Sequence, residues 1–131
     1  MVMDRDLERL QGLRILIVED VFLIADELND LLTAIGCVVV GPSPSLTDGL
    51  KTATAEALDG ALLDVNLAKE QTSFPIAEVL TARGVPFLFL SGYDVHDNFP
   101  AEFQNAPCLP KPVEVRQLTR EMARTFVPAG R

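Results

Sequence analysis

The sequence has little of what common catalytic and binding chemistries need. Its one histidine, His96, lies in a polar stretch with no acidic partner arranged around it. It reads as a solvated surface residue, not as a phosphotransfer group. Two cysteines, Cys37 and Cys108, lack Cys-x-x-Cys spacing, so they form no recognisable zinc or dithiol motif. Both fall on apolar, strand-like segments and are expected to be buried free thiols. Basic residues are scarce, 11 against 19 acidic, for a net charge of -8. That excludes a broad face for phosphate backbones, and no nucleic-acid partner is expected. No run approaches the ~18 apolar residues of a membrane span. The charged stretch Met1 to Gln11 lacks the apolar centre of a signal peptide. No membrane partner is therefore expected, and the cytoplasm is the expected location.

What is present fits one globular domain. The chain has 131 residues, 48% hydrophobic and 23% charged. It shows no internal repeat or low-complexity stretch. Five apolar runs alternate with helix-like stretches: Arg14–Val18, Cys37–Val40, Ala61–Leu63, Pro86–Leu90 and Pro107–Leu109. After the first run, Ile24, Leu28, Leu31, Leu32 and Ile35 share one helical face, and Gly36 ends it. The second run closes at Gly41-Pro42. Ser45 with Asp48 resembles an N-terminal cap for the next helix. The third run is followed by a polar loop, Ala68 to Ser73, and by a helix with Pro75 in its first turn and Gly84 at its end. Tyr93 to Ala106, interrupted by Pro100, predicts a short or irregular helix. Val115, Leu118, Met122 and Phe126 mark one face of the last.

Five strand–helix alternations predict an α/β domain with a parallel sheet. Runs that are apolar on both faces predict helices on both sides. Functional residues then lie beyond the carboxyl ends of the strands. Those ends carry Glu19-Asp20, Asp64, Ser91 and Lys111. The second run adds nothing chemical. If the first and third strands are neighbours, three carboxylates converge, and each tends to hold a proton. A divalent cation with a taste for hard oxygen ligands, such as Mg²⁺, relieves the conflict. One carboxylate can then act as nucleophile on phosphorus, with an ammonium and a hydroxyl neutralising phosphoryl oxygens. Lys111 and Ser91 offer those two groups, and Gly92 lets the backbone come close.

From about Leu13 to Phe126 the chain resembles the receiver domain of two-component response regulators. The resemblance implies a flavodoxin-like (βα)5 fold, strand order 2-1-3-4-5, over residues 13–127. Residues 1–12 would be an N-terminal extension and 128–131 a tail. It implies that Asp64 is the phosphoacceptor, with Ser91 and Lys111 holding the phosphoryl group. It implies Asp20 and Asp64 as Mg²⁺ ligands, with the Asn66 carbonyl, and Glu19 reaching the ion through water. Pro112 would follow Lys111 through a cis bond. The implied partners are a histidine kinase and a downstream protein, and the implied role is a switch, not a turnover enzyme. Asp64-Val65-Asn66-Leu67, Gly84-Val85-Pro86-Phe87 and Phe89-Leu90-Ser91-Gly92-Tyr93 look like the FATGUY group of alphaproteobacterial receivers. Those are often single-domain and are often paired with HWE-type kinases.

The match has departures. Leu90 stands where that group commonly has Ala, and Ser91 where it has Thr. Cys108 occupies the position of the usual switch aromatic, so Tyr93 is the candidate replacement ring. Val113 stands where many receivers have Phe. With no output domain expected, the alternatives are a phosphate sink or shuttle, or a docking receiver. A metal-dependent aspartyl phosphatase would need a substrate cap, and the stretch 68–73 is too short for one.

Overall fold

The computed structural model describes residues 2–92 and 99–128. Tyr93 and His96 therefore lie outside the described residues. The order of elements is α1 (Val2–Leu10), β1 (Arg14–Val18), α2 (Phe22–Ala34), β2 (Val38–Ser43), α3 (Leu46–Ala55) and β3 (Gly60–Asp64). It continues with α4 (Phe74–Ala82), β4 (Phe87–Ser91), a 3-10 turn at Ala101–Phe103, β5 (Cys108–Pro110) and α5 (Val115–Phe126). All ladders of the five-stranded sheet are parallel, in the order β2-β1-β3-β4-β5. This is the flavodoxin-like order that the resemblance implied, and the parallel sheet is the one expected from the alternation.

Two apolar layers sandwich the sheet. On one side Ile15, Ile17, Leu62 and Leu88 meet Leu28 and Leu32 of α2 and Leu118, Met122 and Phe126 of α5. On the other, Leu16, Leu63 and Phe89 meet Ala53 of α3 and Ile76, Ala77 and Leu80 of α4. Strand side chains alternate between the layers, as the pleat requires. β3 is buried at every position because it is central and covered on both sides. It begins at Gly60, where a Cβ would sit 2.7 Å from the Phe126 ring. Only glycine lets α5 close down there.

The local signals seen in the sequence are realised. Ser45 Oγ accepts from the Asp48 amide at 3.1 Å and caps α3. Pro75 lies in the first turn of α4. Gly36 ends α2 at a φ of 98°, in the left-handed region that glycine adopts freely.

Four features differ from the sequence expectations or add to them. The segment before residue 13 forms α1, which packs against α5. Leu10 is fully buried there, and Gln11 Nε2 donates to Leu7 O and Ile35 O, both at 2.8 Å. Second, β2 does not close at Gly41-Pro42. It continues through a cis Gly41-Pro42 bond to Ser43, which pairs with Val18 after a register shift. Third, Cys108 is only partly buried, whereas Cys37 is buried as expected. Burial pushes the Cys37 thiol up to about 11, so it is inert at neutral pH. Fourth, the weak helical segment before β5 contains, among the described residues, only the 3-10 turn. Phe99 and Phe103 anchor it in a group of contacting rings with Phe74, Phe87 and Phe89.

Candidate phosphoryl-transfer site

Strand order sets the site. β1 and β3 are neighbours with Val18 paired to Leu63, so Glu19 and Asp64 leave the sheet side by side. Glu19, Asp20 and Asp64 each offer a carboxylate oxygen, all within 4.8 Å of one another. Glu19 and Asp64 are buried and Asp20 is half-buried. Lys111 reaches across from the end of β5. Its Nζ lies 2.7 Å from Glu19 Oε1 and 3.1 Å from Asp64 Oδ1. The Lys111 amide donates to Ser91 O at 2.9 Å, which ties the lysine's backbone to the end of β4. The Lys111-Pro112 bond is cis.

Glu19 is held on three sides. Its second carboxylate oxygen accepts from the Val21 amide at 3.2 Å, at the start of α2. Its own amide donates to Ser43 O at 3.1 Å. The end of β2, expected to add nothing, thus anchors an acidic residue of the site. Pro42 and Pro44 also wall a groove of about 290 Å³ next to Glu19, Asp20 and Phe22. The signal available in the sequence was the proline-flanked serine after the apolar run, Gly41-Pro42-Ser43-Pro44.

The electrostatics follow from crowding. Burial, a hydrogen bond to Glu19 and the Glu19 charge push the Asp64 carboxyl up to about 8, against the pull of Lys111. Burial alone would lower the Lys111 ammonium. The Glu19 hydrogen bond and the two carboxylate charges outweigh it and hold Lys111 above its usual value. Three acids and one cation leave the site with surplus negative charge. The donor set is all oxygen, clustered and partly desolvated, which suits a hard divalent cation.

Of the other residues singled out in the sequence, Ser91 is buried at the end of β4, one position beyond Leu90, the partner of Asp64. Asn66 is exposed and forms an isolated antiparallel bridge with Thr72. The loop between them is a small hairpin whose tip, Lys69 and Glu70, has φ of 64° and 57°. Cys108 is in β5, paired with Phe89.

The solution structure of SdrG from Sphingomonas melonis Fr1 is 35% identical, with a TM-score of 0.74 over 86% of this chain and 94% of that one. The signal receiver domain of a modulated diguanylate cyclase from Desulfovibrio desulfuricans G20 is 30% identical, TM-score 0.73, over 86% and 94%. The chain belongs to the receiver-domain family. A third receiver, from the sensor histidine kinase PA1611 of Pseudomonas aeruginosa PAO1, shares the fold at 20% identity, TM-score 0.75, over 88% of this chain and 98% of that one. That structure holds a magnesium ion in its active-site cleft. No family model and no curated protein matches the sequence.

Proposed function

We propose that this receiver accepts a phosphoryl group on Asp64 from a histidine kinase and uses the added charge to change its protein contacts. The observation that carries the reading is Lys111 lying between Glu19 and Asp64, within a group of three converging carboxylates. Mg²⁺ is the fitting ion. Asp20, Asp64 and the Asn66 carbonyl would hold it, and it would supply positive charge to the carboxylates and to phosphoryl oxygens.

The chain's own residues do the rest. An Asp64 carboxylate oxygen attacks phosphorus, a P–O bond forms, and the P–N bond to the kinase imidazole breaks. Lys111 and Ser91 take phosphoryl oxygens as charge builds on them. Glu19, held by the Val21 amide and by Ser43 O, keeps Lys111 on the Asp64 side before transfer. Phosphorylation replaces a carboxyl that resists ionisation with a dianionic group, which draws Lys111 and Ser91 inward. Tyr93 follows Ser91 and Gly92 directly, and it serves as the mobile ring in place of an aromatic at Cys108. The domain assists its own phosphorylation and dephosphorylation without turning over a substrate. A HWE-type kinase and a single-domain role in the FATGUY manner fit the motifs.

The chain has one tyrosine and no tryptophan, so its tyrosine emission reports on Tyr93, two residues after Ser91 in the sequence. Beryllofluoride with Mg²⁺ is expected to change that emission in the wild type and not in Asp64→Asn. An equal change in both proteins contradicts the reading, and so does steady turnover of phosphoesters.

A further inference from the structure

Lys111 stands two strands away from the carboxyl it pairs with. Asp64 ends β3 and Lys111 follows β5, with β4 between them. Neighbouring strands lie about 4.8 Å apart, so β3 and β5 are separated by roughly 10 Å. The lysine makes its 3.1 Å contact with Asp64 Oδ1 by carrying its stem across β4. At that level β4 carries Leu90, the ladder partner of Asp64 on one side and of Leu109 on the other. Paired residues of a parallel sheet point to one face, and so do residues two apart along a strand. Leu62, Leu88, Leu90 and Leu109 belong to one core layer. Asp64, Leu90 and Lys111 therefore share that face, with Leu90 between the other two.

Leu90 is 1% exposed, and its carbonyl accepts from the Val65 amide at 3.0 Å, which fixes its backbone beside the acceptor. It also lines an open groove of about 320 Å³, together with Lys111, Val113 and, from α2, Leu28 and Glu27. The groove gives the lysine stem room to leave the site, and Glu27 offers the ammonium another acid there. A lysine stem is long and flexible, and holding it in one geometry costs rotamer entropy. A shaped apolar support beneath the stem reduces the geometries open to it, and Leu90 is placed to be that support.

We infer that Leu90 is a positioning residue for the phosphoryl transfer proposed above: its side chain holds the Lys111 stem across β4 and keeps the ammonium on Glu19 and Asp64, out of the groove. This rests on the reading of Asp64 as the acceptor. Leu90 acts through Lys111, and Val113, on the groove's wall, is the place from which volume lost at Leu90 can be refilled.

Two measurements on the full chain test this. The first reads the lysine itself. The chain has three lysines, Lys51, Lys69 and Lys111, and the first two are exposed. Nitrogen NMR of the lysine ammonium groups is expected to show a slowly exchanging Nζ signal in the metal-free wild type that is absent from Lys111→Met. Leu90→Ala is expected to broaden or lose that signal. The second measurement follows phosphoryl uptake from acetyl phosphate and Mg²⁺ by intact mass, and Leu90→Ala is expected to slow it by about tenfold or more. Leu88→Ala is the control, since Leu88 lies on the same strand and in the same core layer, fully buried and outside the groove. It is expected to keep the signal and to stay within about twofold of the wild-type rate. Leu90→Met, and Val113→Phe added to Leu90→Ala, refill the space and are expected to bring signal and rate back to within about threefold. If Leu90→Ala does not fold, Leu90→Val takes its place, with a smaller loss in the same direction. A phosphorylated wild type whose Leu90 variant keeps both signal and rate overturns the inference alone, and so do equal losses in Leu88→Ala. A wild type that takes up no phosphoryl group while its ammonium signal stands overturns the reading of Asp64, and this inference falls with it.

Discussion

Lys111 Nζ lies closer to Glu19 than to Asp64, 2.7 Å against 3.1 Å. The lysine is thus held by the acid that is least free to move, because Glu19 is also fixed by the Val21 amide and by Ser43 O. Asp64 is left as the more weakly paired carboxyl, with its proton affinity raised. A group that resists ionisation and faces an ammonium is poised to gain when a cation or a phosphoryl group arrives.

The Asp64 carboxyl gives a pH dependence of defined sign. Its folded-state value, about 8, lies above the unfolded one. The folded state therefore binds the extra proton, and its contribution is fully present below about pH 4. It is lost as pH rises toward about 8, by an amount on the order of a few kcal/mol. Metal-free wild type should lose stability across that window, and Asp64→Asn should flatten the slope. Thermal melts from pH 5 to about 8 read this directly. Parallel profiles for the two proteins would contradict it.

Lys111→Met should destabilise the metal-free protein by roughly 3 kcal/mol, since it leaves Glu19 and Asp64 facing each other in a buried site without a cation. Added Mg²⁺ should restore much of that loss. Urea midpoints with and without Mg²⁺ measure both effects. A loss that Mg²⁺ leaves untouched would mean that lysine packing, not charge, is at work.

The hairpin tip beside the site is strained. Lys69 and Glu70 both have positive φ, a two-residue pattern that favours Asn-Gly. Lys69→Asn with Glu70→Gly should raise stability by about 1–2 kcal/mol without moving Asp64. A higher urea midpoint at an unchanged slope is the expected result. A lower midpoint would show that these side chains make contacts outweighing the strain.

Much of this was legible from periodicity and punctuation. Gly36, Gly84, Pro75 and the Ser45–Asp48 pair marked helix ends because each acts within a few residues of itself, through its own backbone or, for Ser45, through a hydroxyl on the Asp48 amide. Glu19, Asp64, Ser91 and Lys111 stood out because an apolar run delivers each to a strand end. What stayed hidden depends on distant partners. α1 was missed because its few apolar residues gain value only against α5. The extension of β2 past Gly41 was missed because a Gly-Pro pair normally ends a strand, and pairing of Ser43 with Val18 overrides that. The pairing of Lys111 with Glu19, before Asp64, depends on how far β5 stands from β1, which no local pattern encodes.

The most direct test is intact-mass measurement of the chain after incubation with Mg²⁺ and acetyl phosphate or a phosphorylated kinase. One added phosphoryl group, labile to hydroxylamine, absent without Mg²⁺ and absent in Asp64→Asn, is the expected result. A phosphoryl group that persists in Asp64→Asn, or forms equally well without a divalent cation, would contradict the assignment of Asp64 as the acceptor in a metal-assisted site.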